Sequence, residues 1–360
     1  MFRPAPRASG YFRTSYAQDL ALVQTRLERW VLIVFGLALV LFPFLANPFW
    51  LDLSCQVFLA SIGALSLMLL TGYAGQISLG HAGLLAAGAF TTGILFREMN
   101  APFWITLPAS ALVGVLLGLV FGLPSLRLRG LYLAISTLAL HFVVIYLGGE
   151  YETKRGFSTG ILINPPQLGA LRLTDGRVWY FVLLAAAGAT LLICANLLRS
   201  RSGRAWRAIH TRETVAEALG ISIAAYKLLA FVISSGMTAV AGCLFAYYRG
   251  FVSIEAFDLF LSIQYVAMII IGGMGSLLGA LLGAFFVTIF PYLIEGLLGV
   301  LPGVQRLAGD IFAVNYASFG VVMILFLVLE PQGLVGIWHR VQHYFLLWPF
   351  KQRPLAGGGK

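Results

Sequence analysis

The apolar residues of this chain are gathered into about ten separate runs, near residues 30–46, 52–71, 81–96, 103–123, 130–148, 178–198, 227–248, 259–272, 277–298 and 311–330. Most come close to the roughly 20 residues that a helix needs to cross hydrocarbon. Inside a bilayer every backbone N–H and C=O must find a partner within the protein, which leaves helices as the natural form for such runs. Composition agrees: 59% of the 360 residues are hydrophobic and only 11% are charged, against about 25% charged in a soluble domain. A chain with mean hydropathy +0.89 cannot cover itself in water. The expected fold is all-α, a polytopic transmembrane helical bundle of about ten spans. Its 40 glycines suit close approach of membrane helices.

The positions of the basic residues set an expected topology. With the amino terminus inside, alternation puts the arginines of residues 1–29, Arg127, Arg129, the six basic residues from Arg199 to Lys227, and Arg340, Lys351, Arg353 and Lys360 on the cytoplasmic side. That is 17 of the 24 Lys and Arg. The outside receives Arg97, Lys154, Arg155, Arg172, Arg177, Arg249 and Arg306, mixed with acidic residues. Basic residues are held back on the cytoplasmic side during insertion, so both termini are expected to be cytoplasmic. The net charge of +10 therefore reads as topology and attraction to lipid headgroups, not as nucleic-acid binding.

The expected organisation is a cytoplasmic amino-terminal arm (1–29), a transmembrane domain (30–335) and a cytoplasmic tail (336–360). The arm is rich in arginine and lacks the early apolar core of a secretory signal. Cys55, Cys194 and Cys243 fall in or beside separate spans and read as packing residues. The longest outside segment, 150–178, is turn-rich around Gly156–Ile161 and Asn164–Pro166. No GxxxxGK[ST] phosphate loop, HExxH or paired His/Cys pattern occurs, so the chain is expected to bind no cofactor or metal and to hydrolyse no ATP itself. The spans also lack a set of charged residues of the kind that relays protons or ions.

Within the membrane, the unusual segment is Thr71-Gly-Tyr-Ala-Gly-Gln76-Ile-Ser78-Leu-Gly-His81-Ala-Gly83. Each glycine costs a helix interior about 1 kcal/mol against alanine, which argues for a broken helix lining a cavity or buried in protein. Gln76, Ser78 and His81 then read either as satisfied packing polars or as groups beside a substrate path. His141 and Gln264 are weaker candidates of the same kind. A second glycine-rich stretch, Gly272 to Gly283, ends Gly283-Ala-Phe285 and faintly echoes Gly88-Ala-Phe90.

The one large polar island between spans is 199–226. Arg204, Trp206, Arg207 and Ile209 suit a short interfacial helix. Thr214-Val-Ala-Glu217 has the form of a capping box, and Gly220 stands where a terminating glycine belongs. The expected helix, Val215–Leu219, offers Val215, Ala218 and Leu219 as a small apolar face. So short a helix is marginal alone, which favours docking on a partner; an amphipathic loop lying on the bilayer is the other reading. By residues alone, a channel or secondary carrier for a small polar solute, or a membrane enzyme, stays open.

Several blocks in order resemble the LivM family, the M-type permeases of bacterial branched-chain amino acid ABC importers. They are Gly72–Ala82, Leu126–Leu138, Ser202–Ile209 with Glu217–Gly220, Tyr226–Phe231 and Gly272–Gly279. The resemblance covers roughly residues 50–335. It implies an inner-membrane subunit paired with a LivH-type permease and two ABC ATPase subunits, with ATP and magnesium bound on those ATPases. A periplasmic substrate-binding protein would deliver cargo, and the mechanism would be alternating access. Gly203, Arg204, Arg207, Thr214, Glu217 and Gly220 fall at the family's coupling motif. Relatives also handle urea, short amides or aromatic acids. Where the family often has Thr-Gly-Gly, this chain reads Thr153-Lys154-Arg155-Gly156.

Overall fold

The computed structural model describes residues 26–347 apart from 127–129, 157–159, 169–170, 173–174, 301–310 and 331. Most of the amino-terminal arm, Arg127, Arg129 and the end of the tail thus lie outside the described residues. The protein is all-α, with four two-residue strands in its loops among the described residues. Each of the ten expected apolar runs falls on a helix: α1 Arg26–Leu45, α2 Pro48–Leu67, α3 His81–Met99, α4 Phe103–Ser125, α5 Leu131–Arg155, α6 Gly176–Arg199, α9 Ile223–Arg249, α10 Leu259–Gly272, α11 Leu277–Val300 and α12 Ile311–Leu329. Between α6 and α9 lie α7, Arg201–Thr211, and α8, Glu213–Ala218; α13, Gly333–Leu347, closes the described chain.

Among the described residues, seven helical segments are long and apolar enough to cross a membrane, and an eighth span arises if Tyr316–Leu329 and Gly333–Val341, bent by 53°, are one. α3 is not among them, because glycines, threonines and terminal charges dilute its apolar content. It is nonetheless among the most enclosed helices, buried from His81 through Phe90. It is surrounded by other helices and needs little hydrophobicity of its own.

Glycine explains how α3, α4 and α9 come so close. A Cβ on Gly88 would collide with the backbone of Ala239, and one on Gly242 with that of Leu85. A Cβ on Gly114 would lie 2.6 Å from the Ser235 carbonyl. Where backbones touch, small hydroxyls bond across: Ser66 with Thr238 at 2.8 Å, Thr92 with Ser110 at 3.0 Å and Thr106 with Tyr247 at 2.9 Å. With no hydrophobic force acting between helices in lipid, such packing and bonding is what holds them. Cys55, Cys194 and Cys243 are buried free thiols in α2, α6 and α9. The Gly88/Gly283 echo is partial: both glycines sit at helix crossings, but Phe90 is buried and Phe285 exposed.

The 150–178 segment is tied near its middle to the residues that follow α9. Ile161 and Leu162 (β1) pair antiparallel with Val252 and Phe251 (β4), and Gln167–Leu168 (β2) forms a small hairpin with Leu171–Arg172 (β3). Lys154 and Arg155 pair with Glu150 at 2.9 Å and Glu98 at 2.7 Å.

Candidate functional site

The polar island folds into a compact foot of two helices. α7 starts at Arg201, and Gly203 lets it fold back on the end of α6, since a Cβ there would collide with the Leu198 backbone. Arg204 and Arg207 point their guanidinium groups back at the same end. Arg204 Nη1 donates to the Arg199 carbonyl at 3.1 Å and Arg207 Nη2 to that of Leu198, so each offsets free carbonyls at a helix C-terminus. Trp206, expected at a lipid interface, is instead fully buried. Its Nε1 donates to the Tyr226 carbonyl at 2.8 Å, satisfying its one polar group.

The capping box expected from Thr214 and Glu217 does not form. Arg212 is the N-cap residue of α8, with no side-chain cap bond, and Thr214 lies within the first turn. The competing interaction is an ion pair: Glu213 begins the helix and meets Lys227 Nζ, which draws the helix start back from the expected Val215. Glu217 is exposed. The other end is as expected. Gly220 takes φ +81°, its N–H donates to Glu217 O at 2.9 Å and that of Ile221 to Ala216 O at 3.0 Å, a Schellman termination. Ala216 is the buried residue of α8. Val215, Ala218 and Leu219 are exposed, Val215 by 50% and Leu219 by 74%.

Above the foot, α2 ends in a π-helical turn, Met68–Tyr73, and the chain is irregular until α3 begins at His81. This is the broken helix expected from its glycines. Gln76 and Ser78 are buried within it, and His81 is buried at the start of α3. Gln76 Nε2 donates to the Lys227 carbonyl at 2.9 Å, and Thr71 Oγ1 to Gln76 O at 2.9 Å. The Leu79 and Ala82 N–H groups are taken by Thr137 Oγ1 at 3.0 Å and Ser262 Oγ at 2.9 Å. His81 stands edge-on to Tyr265, with ring centroids 4.7 Å apart, and its Nε2 has no hydrogen-bond partner. The buried His141 Nδ1 is likewise without one. Gln76 is thus engaged with α9, while His81 faces α10; the three expected residues do not share one contact point. Gln264, a partly buried residue of α10, has no assigned contact with them.

Sequence reasoning missed the residues that join these parts. His210, near the end of α7, lies against Gly75, and a Cβ on Gly75 would sit 2.7 Å from its Nδ1. A Cβ on Gly72 would lie 3.0 Å from the Gly275 nitrogen, whose N–H points at Met68 Sδ at 3.2 Å. The two glycine-rich breaks therefore touch each other, and the first also touches the foot. The Tyr226 and Lys227 carbonyls accept from Trp206 and Gln76, and Lys227 Nζ donates to Glu213. The spacing of 14 to 151 residues between these partners leaves no local pattern to read.

The chain is a multi-pass bundle of glycine-packed helices, broken twice at contacting points and joined to a polar foot, and its sequence puts it in the class of membrane transport permeases. The chain belongs to the family described as the branched-chain amino acid transport system permease component, whose model matches residues 49–329. It is similar to the high-affinity branched-chain amino acid transport system permease protein LivM of Salmonella typhimurium, 31% identical over 89% of this chain and 77% of that protein. The Escherichia coli K12 protein of the same name is 30% identical over the same shares. An autoinducer 2 import system permease protein, LsrC of an Enterobacter species, is 31% identical over 51% of this chain and 54% of its own length. No solved structure matches the chain.

Proposed function

We propose that this chain is the M-type membrane subunit of an ATP-driven importer of branched-chain amino acids in a bacterial inner membrane. In this reading both termini are cytoplasmic. The subunit pairs with a LivH-type permease and works with two ATPase subunits and a periplasmic binding protein. ATP is hydrolysed on the ATPases, and this chain converts their motion into alternating access.

The observation that carries the reading is the foot. Its inner side is anchored by Trp206, Ile209 and the Glu213–Lys227 pair, while Val215, Ala218 and Leu219 stand exposed beside Glu217. A helix this short keeps an apolar face outward only at a cost, which docking on a soluble partner removes. Its connections suit force transmission. A push on α7 reaches the first break through His210 and Gly75, the second through Gly72 and Gly275, and the first turns of α9 through Tyr226 and Lys227. Coupling needs contacts that differ between two states, and glycine-built junctions with few side chains to clash can supply them. In this reading Gln76 holds the first break to α9, and Ser78 and His81, with its Nε2 unpartnered, lie beside the path.

Reconstitution tests the proposal. Proteoliposomes carrying this chain, the H-type permease and the ATPases should take up leucine only with binding protein outside and ATP inside. Uptake by this chain alone, independent of ATP, would establish a carrier instead.

A further inference from the structure

A cavity of about 450 Å³ opens at the opposite end of the bundle from the foot. It lies between the first turns of α2, the start of α6 and the end of α9. The 24 residues of α6, about 36 Å at 1.5 Å per residue, separate it from α7. Its lining combines charges of both signs, Asp52, Asp175 and Arg177, with an apolar wall of Ala46, Pro48 and Leu51.

Neither Asp52 nor Arg177 is in an ion pair among the described residues. Asp52 accepts from Gln56 Nε2 at 2.6 Å and from the Tyr248 hydroxyl, but it joins none of the ion pairs among the described residues. Asp175 also lines the cavity, yet its Oδ1 caps α6 by accepting from the Arg177 backbone N–H at 3.1 Å. The Arg177 guanidinium makes no hydrogen bond or ion pair among the described residues. An exposed guanidinium with free donors is suited to a carboxylate, which it grips with two parallel bonds. A carboxylate already fixed by two neutral donors keeps acceptor capacity for an ammonium group.

We propose that this cavity is a receiving site for a zwitterionic α-amino acid with a small apolar side chain. The ammonium group lies on Asp52 beside Tyr248, the carboxylate on Arg177, and the side chain against Ala46, Pro48 and Leu51. The proposal rests on the importer reading and adds a place on this chain where cargo is held after leaving the binding protein. A phosphatidylethanolamine headgroup carries a comparable ammonium–anion pair, so the test must separate the two sources.

The assembled transporter, in nanodiscs with and without phosphatidylethanolamine and with no binding protein, is titrated with radiolabelled leucine. Leucinamide, which lacks the carboxylate, and 4-methylpentanoate, which lacks the ammonium group, serve as competitors. Leucine should bind in both nanodiscs, with each analogue about ten-fold weaker or worse, a difference of about 1.4 kcal/mol. Arg177→Gln should weaken leucine binding by a similar factor and abolish its advantage over leucinamide, with Arg177→Lys recovering part of it. Asp52→Asn should do the same against 4-methylpentanoate. Unchanged leucine binding in Asp52→Asn and Arg177→Gln complexes of wild-type subunit composition overturns the proposal, as does leucine binding only when phosphatidylethanolamine is left out. Adding binding protein and ATP distinguishes the two levels. Uptake with wild-type KM in both variants overturns the cavity alone, whereas failure to import any zwitterionic amino acid overturns the importer reading with it.

Discussion

The imidazole of His210 rests against the bare Cα of Gly75, where a Cβ would lie 2.7 Å from Nδ1. Gly75 also takes φ +71°, a conformation that costs a side-chain-bearing residue about 1–2 kcal/mol. Gly75→Ala should therefore disturb the contact twice over, by strain and by crowding. The expected result is a drop of about ten-fold in leucine uptake per ATP hydrolysed, with the complex still assembled. His210→Ala should leave assembly intact and recover part of the loss when combined with Gly75→Ala. Parallel measurement of uptake and ATP hydrolysis checks both.

Glu217 and Gly220 should matter for coupling and little for insertion. Glu217→Arg reverses the charge on the exposed side of α8, and Gly220→Trp puts a bulky residue at φ +81°. Each should abolish most transport while leaving the membrane level of the protein near wild type. Immunoblots of membranes beside uptake assays read out the two quantities.

The Glu213–Lys227 pair is partly shielded, with Lys227 15% and Glu213 36% exposed at the side chain. Its contribution should be modest, about 1 kcal/mol in a double-mutant cycle of Glu213→Gln and Lys227→Met. Thermal unfolding of the four purified proteins measures it, and additivity of the two single changes would show that the pair contributes nothing.

Trp206 should be the most sensitive residue of the foot. Trp206→Phe removes the bond to Tyr226 O, worth about 1 kcal/mol, and keeps most of the packing. Trp206→Ala also leaves a cavity and should cost about 3–5 kcal/mol. Limited proteolysis between α6 and α9 should be faster in the alanine variant and nearly unchanged in the phenylalanine one.

The broad fold was legible because its signals are local. Apolar runs marked the long helices, the glycines of 72–80 marked a broken helix, and Gly220 marked the end of α8. What escaped was decided by contacts distant in sequence. Thr214 and Glu217 have the form of a capping box, yet Lys227 competes for Glu213 and shifts the start of the helix. Trp206 beside arginines reads as an interface residue, but it is buried, with its Nε1 bonded to the Tyr226 carbonyl. The meeting of Gly72 with Gly275, some 200 residues apart, has no sequence signature in a single chain. The cavity at Asp52 and Arg177 is of the same kind, since isolated charges at helix ends read as ordinary loop residues.

The most direct test of the foot as the drive point uses one introduced cysteine. Cys55, Cys194 and Cys243 are buried, so Leu219→Cys, at an exposed position, supplies a distinct reactive thiol. In the assembled transporter a short bifunctional reagent should join it to an ATPase subunit, with a yield that changes between nucleotide-free and ATP-bound states. A thiol at 219 that is labelled only from the periplasmic side, or that never joins an ATPase in either state, would contradict the account.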